Sequence, residues 1–199
     1  MTRARALPLA ALFLILLAPA ARADGHATIF VGSNFFGDAG RSLDDALNDG
    51  SRLTWGAAVG GMTGGIFGAE VDVAHAPDFF GDVPGATTNY VLTVMPSLIL
   101  GVPLGGQEGP GLRPYGTAGF GLIRRDLEAN GVELFKDNGF GYSLGVGVNG
   151  YISTHFGIRA DYRYMRKVEA DEARTVLGIA LDEGSFHFSR ATVGALFRF

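Results

Sequence analysis

The chain has 199 residues, of which 31 are glycine, 47% are hydrophobic and none is cysteine, and its formal net charge at pH 7 is −4. This length suits a single domain, the hydrophobic fraction excludes a wholly disordered chain, and the acidic balance argues against nucleic-acid binding, which needs a basic surface. Glycine is about twice as frequent as its usual ~7%, and because glycine is unfavourable inside helices, the composition favours an all-β protein.

The first 23 residues have the three parts of a secretory signal peptide. Arg3 and Arg5 form a basic start, an apolar run of about 14 residues follows, and "ARA" at 21–23 is a small-x-small cleavage site. The apolar run is shorter than the ~20 residues of a membrane-spanning helix, so we expect cleavage rather than anchoring. Two regions are therefore predicted: a signal peptide at 1–23 and one domain at 24–199.

Eight segments of the remaining chain are predicted to be β-strands. In "FGYSLGVGV" (140–148), large apolar residues occupy one parity, and glycine and serine occupy the other. Such a period of two is the signature of a strand with unlike faces. The first segment is ambiguous, because Phe30 interrupts its polar face. The eight segments lie near 26–36, 52–62, 65–76, 89–102, 112–124, 138–152, 154–166 and 186–199.

The strand face that carries the large side chains is predicted to point outward into lipid. A soluble periplasmic barrel, the alternative, would turn this face inward and expose a surface made mostly of glycine to water. Strands of about 9–11 residues with apolar residues outside and polar residues inside are typical of membrane-spanning barrels. Such a barrel must be closed, because an unpaired strand edge in hydrocarbon leaves backbone groups unsatisfied at several kcal/mol each.

Short and long connections alternate along the chain, as they do in outer-membrane barrels. The connections at 62–65 and 152–154 are tight, and the one at 103–111 is of moderate length. Those at 37–51, 75–88, 124–137 and 166–185 are long and polar. The sequence therefore predicts an all-β protein, an eight-stranded antiparallel up-and-down transmembrane β-barrel, with its short turns and both chain ends on the periplasmic side.

Three stretches resemble the outer-membrane protein β-barrel family, which includes the OmpA-like membrane domain and its small eight-stranded relatives. They are "RPYGTAGFGL" (113–122), "GFGYSLGVGVNGYISTHFGIRADYRYMR" (139–166) and "RATVGALFRF" (190–199). The resemblance implies a location in the cell outer membrane and contact with outer-membrane lipids and lipopolysaccharide. It also implies insertion by the outer-membrane assembly machinery, for which Phe197 and Phe199 would form the C-terminal signal. The peptidoglycan-binding domain of larger relatives is not expected here, since the chain stops at the barrel.

Seven charged residues share the inward parity. They are Glu70, Asp72, Arg113, Arg159, Asp161, Arg163 and Arg190. An eight-stranded barrel is too narrow for free water throughout, and buried charges must be paired or cost several kcal/mol each. We therefore predict a salt-bridged network that fixes strand register and closes the lumen. The alternative is a narrow channel for small solutes, lined by the same residues.

No catalytic, cofactor or metal site is predicted. His187 and Ser189 form a His-x-Ser pair like that of some outer-membrane lipid A deacylases, so a lipid-modifying enzyme is a further alternative. However, the face that carries them has no carboxylate to orient the histidine. The remaining histidines lack metal-ligand spacing, and no phosphate-binding motif occurs. We expect a monomeric, non-enzymatic protein with a structural or surface-interaction role.

Overall fold

The computed structural model describes residues 23–36, 53–80, 85–105, 109–130, 132–168 and 186–199. All but the last residue of the predicted signal peptide lie outside these ranges, as do most residues of two of the four predicted long connections, 37–51 and 166–185. Within the described ranges, no helix is long and apolar enough to cross a membrane.

Eight antiparallel strands form the molecule. They are β1 (Ala23–Phe36), β2 (Leu53–Thr63), β3 (Phe67–Pro77), β4 (Ala86–Gly101), β5 (Gly111–Ala129), β6 (Val132–Tyr151), β7 (Phe156–Lys167) and β8 (His187–Arg198). Each strand pairs with its sequence neighbours, and β8 pairs with β1, so the sheet closes into a barrel. The predicted all-β, eight-stranded antiparallel barrel is therefore confirmed.

The two faces of each strand differ as the parity of the sequence predicts. Along β7, burial and exposure alternate from Phe156 to Ala160 without a break. Large apolar residues in the middle of the strands point outward, and Leu98 and Val146 are 71% and 62% exposed. The ambiguous Phe30 points inward, where its ring centroid lies 5.2 Å from the guanidinium carbon of Arg190. The wide outer band of aliphatic side chains is thus the surface that would meet lipid.

Residues 124–137 do not form the long loop that we predicted. Instead β5 and β6 continue as a paired hairpin in which Arg125 faces Asp137, and the strands end only at Ala129 and Val132. The register shifts between Leu127 and Glu128, and this bulge breaks the two-residue period on which the prediction rested. Because about 9–11 residues suffice to cross a bilayer, the far part of this hairpin projects beyond it.

The two ends of the barrel are named here by their connections. Residues 64–66 and 152–155 connect strands at the short-turn end, and the bridge between Leu104 and Leu112 lies at the same end. The opposite end, where β5 and β6 extend furthest, is called the hairpin end. The lumen between these two ends holds the charged residues that the sequence singled out.

Candidate functional site

The lumen contains all seven charged residues that were predicted to face inward. Each is at most 8% exposed. They come from four strands: Glu70 and Asp72 from β3, Arg113 from β5, Arg159, Asp161 and Arg163 from β7, and Arg190 from β8. Their inward direction follows from the two-residue period of the strands, whereas their grouping follows from how the barrel closes.

Glu70 lies at the centre of the largest group. Arg159 donates two hydrogen bonds to its carboxylate, from Nη1 to Oε2 at 2.6 Å and from Nη2 to Oε1 at 2.9 Å. Arg163 also donates from Nη2 to Oε1 of Glu70. The forked geometry is the strong form of the guanidinium–carboxylate pair. Because β3 and β7 are four strands apart in a ring of eight, these bonds connect opposite walls of the barrel.

Asp161 lies between the same two arginines. Arg163 donates from Nε to its Oδ1 at 2.6 Å, and Arg159 donates from Nη2 to its Oδ2 at 3.2 Å. The hydroxyl of Tyr115 donates to Oδ2 at 2.5 Å. The ring of Tyr115 also lies against the guanidinium of Arg159, 4.9 Å from its carbon. Two carboxylates and two guanidiniums therefore form one compact, charge-balanced cluster, which we call the central cluster.

Two residues that contact the central cluster were not predicted from the sequence. Nε2 of His26, on β1, lies 3.4 Å from Oε2 of Glu70, and the hydroxyl of Tyr115 completes the shell of Asp161. Tyr115 has the same inward parity as Arg113, which could have identified it. His26 belongs to the first segment, whose face was ambiguous from the sequence.

Asp72 and Arg190 form a second pair between β3 and β8. Arg190 donates from Nη2 to Oδ1 of Asp72 at 2.6 Å, and its Nη1 lies 3.4 Å from the hydroxyl oxygen of Thr93. The ring of Phe30 covers the guanidinium on one side. This pair lies closer to the hairpin end than the central cluster, because Asp72 follows Glu70 along β3 in that direction.

Arg113 is placed apart from the other six charges, at the short-turn end. Its Nη2 donates to Asp24 Oδ2 at 3.3 Å, and its Nη1 donates to the hydroxyl of Tyr151 at 3.1 Å. The guanidinium carbons of Arg113 and Arg198 lie 5.0 Å and 4.5 Å from the Tyr151 ring centroid. A separate polar group thus occupies this mouth of the barrel.

Apolar side chains fill the lumen on both sides of the central cluster, although the sequence analysis predicted an interior of small and charged residues. Towards the short-turn end, Met62, Ile99 and Tyr115 pack together. Towards the hairpin end the cluster is larger and consists of Ala76, Phe79, Val91, Met95, Ile123, Met165 and Phe188. Strand β4 shows why these apolar inward residues were not predicted. Its outward residues are apolar as well, so its sequence does not alternate between polar and apolar residues.

Phe79 reaches the lumen from the turn after β3 rather than from a strand. The preceding residue, Asp78, has a φ of 49°, a left-handed conformation that non-glycine residues rarely adopt. The main-chain N–H of Asp78 donates to the Asn89 carbonyl at 2.8 Å, and that of Phe80 donates to the Asn89 side-chain oxygen at 3.1 Å. These bonds fix the turn so that the Phe79 ring is fully buried against Phe188.

Some buried polar atoms of the described residues have no hydrogen-bond partner. Three of them face one side of the lumen: the hydroxyl oxygens of Thr117 and Ser143, and Nη1 of Arg163. Gly119 and Gly145 lie between these side chains in the β4–β7 wall. This wall therefore combines unpartnered polar atoms with glycines, although it also carries part of the larger apolar cluster.

The remaining candidate residues lie on the outer surface. His187 has its ring 5.9 Å from that of Tyr164, on the outward side of β8, and Ser189 shares this side. Phe197 and Phe199 also point outward, at the short-turn end, and their ring centroids are 6.0 Å apart. Among the residues that the structure describes, no group of three or more histidine, aspartate or glutamate side chains is placed to hold a metal ion.

Three solved structures illustrate what the barrel is similar to. Neisserial surface protein A superposes with a TM-score of 0.60 at 14% identity, over 88% of this chain and 97% of that one. Outer membrane protein H of P. aeruginosa gives 0.55 at 20% identity, over 88% and 99%. Ail, the attachment invasion locus protein of Yersinia pestis, gives 0.53 at 15% identity, over 89% and 99%. Identities this low show a shared fold.

Sequence comparison identifies the family. No curated protein matches the chain significantly. The family model described as "Outer membrane protein beta-barrel domain" matches residues 7–199, which is nearly the whole chain. The resemblance noted in the sequence is therefore confirmed, and the chain belongs to the outer membrane protein β-barrel domain family.

Proposed function

We propose that this protein is a monomeric, non-conducting outer-membrane barrel without enzymatic activity, which acts as a structural or surface-interaction protein. The observation that carries the proposal is the position of Glu70, whose one carboxylate accepts hydrogen bonds from Arg159 and Arg163 on the opposite wall. Side chains that cross the full width of a narrow lumen leave no continuous water path beside them.

The apolar layers on either side support closure of the lumen. The fully buried rings of Phe79 and Phe188 belong to the apolar layer towards the hairpin end, and Ile99 packs with Met62 towards the short-turn end. An ion would have to leave water to pass these layers, which is strongly unfavourable. The central cluster then acts as a structural brace between the barrel walls rather than as the lining of a pore.

The projecting β5–β6 hairpin supports a surface role. The tip of the hairpin, by which we mean residues 125–130 and 132–137, is held at its lower end by Asp137. This carboxylate accepts a hydrogen bond from Arg125 at 2.6 Å and another from Lys167 of β7. A rigid hairpin above the bilayer offers a surface for lipopolysaccharide or for a partner outside the cell. Ail, whose structure is also known with the heparin analogue sucrose octasulfate, is an attachment protein with a similar barrel.

The strand β8 supports the proposed route of insertion. Phe197 and Phe199 expose aromatic rings on its outward side, where the outer-membrane assembly machinery and then lipid can reach them. We propose that these two rings are the part of the chain that the machinery reads, and that they afterwards anchor β8 at the periplasmic interface.

Planar-bilayer recording tests whether the lumen is closed. We expect no steady conductance from the parent protein. Arg163→Ala should lower the free energy of unfolding by about 3–5 kcal/mol, because it leaves Glu70 and Asp161 with too few donors, and should give small openings. Arg124→Ala is the control, since this arginine lies outside the lumen with its side chain 42% exposed, and should change neither property. Stable open currents from the parent would overturn the proposal.

A narrow channel is the second candidate, and the unpartnered polar atoms of Thr117, Ser143 and Arg163 favour it. Buried polar groups without protein partners are commonly satisfied by water, so this wall is where a water path would form. Arg159, Arg163 and Arg190 would then act as a selectivity ring, and the parent would conduct anions better than cations in the same recording.

A further inference from the structure

A groove of about 720 Å³ lies on the outer surface of the barrel, away from the lumen. Its floor is β5 at Gly116 and Ala118. Both walls follow from the strand register, because Gly116 pairs with Leu100 of β4 and with Val146 of β6, and Ala118 pairs with Leu98 and Leu144 in the same way. The groove therefore runs along β5 between two rows of larger aliphatic side chains.

No part of the described protein covers this floor. At Gly116, the atom nearest to the position of an added Cβ is the carbonyl oxygen of Gly145, at 3.9 Å. The walls stand well above the floor, since Leu98 is 71% exposed and Val146 is 62% exposed. Neighbouring strands lie ~4.8 Å apart, so β4 and β6 are about 10 Å apart, which leaves a trough about one hydrocarbon chain wide between their side chains.

The depth of the groove places it in one leaflet. Gly116 is five residues from Gly111, where β5 begins at the short-turn end. At ~3.3 Å per residue and a strand tilt of ~40°, this is about 13 Å along the membrane normal, within the nearer half of a ~30 Å hydrocarbon core. With the short turns in the periplasm, that half is the phospholipid leaflet of the outer membrane.

We propose that this groove binds a single acyl chain of a phospholipid from the periplasmic leaflet. The groove faces hydrocarbon, and an unfilled trough would forfeit the dispersion contacts of its floor and walls. An extended chain can lie along β5 and contact Gly116, Ala118 and both walls together. A second copy of the barrel fits less well, because its convex surface would rest on the projecting Leu98 and Val146 side chains and leave the floor uncovered.

Native mass spectrometry of the protein, released from phospholipid nanodiscs in mild detergent, tests this inference. We expect the parent barrel to retain a phospholipid. Gly116→Leu should lose it, because the new side chain fills the trough without entering the lumen. Ala57→Leu is the matched control: Ala57 is an exposed, outward-facing residue of β2 outside the groove, and this variant should keep the lipid.

The inference rests on the barrel's placement in a membrane, so each variant is first checked for membrane fractionation and for the gel shift that folded barrels show on boiling. If Gly116→Leu fails to fold, Ala118→Leu replaces it. A folded parent without retained lipid would overturn the inference, as would equal retention by the parent and the groove variant. A parent dimer that Gly116→Leu dissociates would assign the groove to a second copy instead. None of these results would affect the proposed closure of the lumen.

Discussion

Tyr115 shows how one hydroxyl group completes a buried ion pair. Its oxygen is 2.5 Å from Oδ2 of Asp161, and its ring lies against Arg159. A hydrogen bond to a charged group contributes about 1.5–3 kcal/mol, more than one between neutral groups. In the closed lumen that we propose, a carboxylate that loses such a donor has no water to replace it. Each donor that is lost would therefore leave a buried carboxylate of the central cluster less well compensated.

Replacing Tyr115 with phenylalanine should lower the free energy of unfolding in lipid vesicles by about 1.5–3 kcal/mol. The ring would still fill the same space, so the loss would report the hydroxyl alone. Tyr162→Phe provides the control, since this tyrosine is exposed on the outer face. Loss of the Tyr162 hydroxyl should change the free energy of unfolding by less than ~0.5 kcal/mol. Equal effects of the two substitutions would contradict the role assigned to Tyr115.

For single residues, the sequence predicts which way a side chain points but not which residue it contacts. The two-residue period was enough to predict that Arg159, Asp161 and Arg163 face inward. Pairing of these arginines with Glu70 across the barrel was a reasonable hypothesis, but the sequence could not predict which acid each arginine contacts, because that depends on the stagger of strands around the barrel. The two-residue period also placed Gly145 on the inward face without giving a reason for glycine at this position. In the structure a Cβ there would lie 2.8 Å from Cγ of Arg163, so glycine is needed for the arginine to pass.

Among the elements, the β5–β6 hairpin departs most from expectation, and its tip depends on charge. The pKa of the Asp137 carboxyl is lowered, mainly by the hydrogen bond from Lys167 and to a smaller extent by the one from Arg125. Because this pKa is lower in the folded state than the ~3.9 of an unfolded aspartate, pairing stabilises the tip above that pH. The contribution is lost as the pH falls through the lowered value.

Asp137→Asn should therefore loosen the hairpin tip at pH 7. We expect broadened amide NMR signals for residues 125–137, whereas the rest of the barrel stays unchanged. The parent should show the same loosening only when the pH falls below about 4, and it should show no change between pH 7 and pH 5. Identical spectra of parent and variant at pH 7 would mean that the ion pairs do not order the tip.

The cost of placing a charged residue on the outward face of a strand should depend on how deep that residue lies in the bilayer. Val146→Arg, near the middle of the part of β6 that would cross the bilayer, should cost about 2–4 kcal/mol in vesicles, since it places a charge near the bilayer midplane. Ile152→Arg is the control: Ile152 is 66% exposed, much like Val146, but lies in a turn at the short-turn end. There we expect a cost of about 0–1 kcal/mol. A smaller penalty at Val146 than at Ile152 would contradict the membrane position of the barrel.

The bounds of most strands, such as β7, were predicted to within about three residues, whereas β5 and β6 were predicted too short at the hairpin end. The prediction ended the fifth strand near residue 124 because a bulge and a run of charged residues obscure the alternation there. In β4, apolar residues occupy both faces, as Met95 and Leu98 show, so the apolar filling of the lumen could not be recognised from polarity alone.

For the molecule as a whole, the lumen is built in layers that join different walls. The central cluster connects β1, β3, β5 and β7 through Glu70 and Asp161. The Asp72–Arg190 pair connects β3 with β8, and Arg113 pairs with Asp24 of β1 at the short-turn end. Breaking a buried ion pair usually costs more than the pair contributes, because the remaining charge is left without compensation. The stability of the barrel should therefore depend strongly on a few interior charges.

The most direct test of a closed, charge-paired lumen is the free energy of unfolding of Glu70→Gln in lipid vesicles at pH 7. The substitution keeps the size of the side chain and removes only the charge that Arg159 and Arg163 share. A dry, paired lumen predicts a loss of about 3–5 kcal/mol, whereas Glu128→Gln on the projecting hairpin should change little. A Glu70→Gln protein within ~0.5 kcal/mol of the parent would mean that water already screens these charges, and would contradict closure.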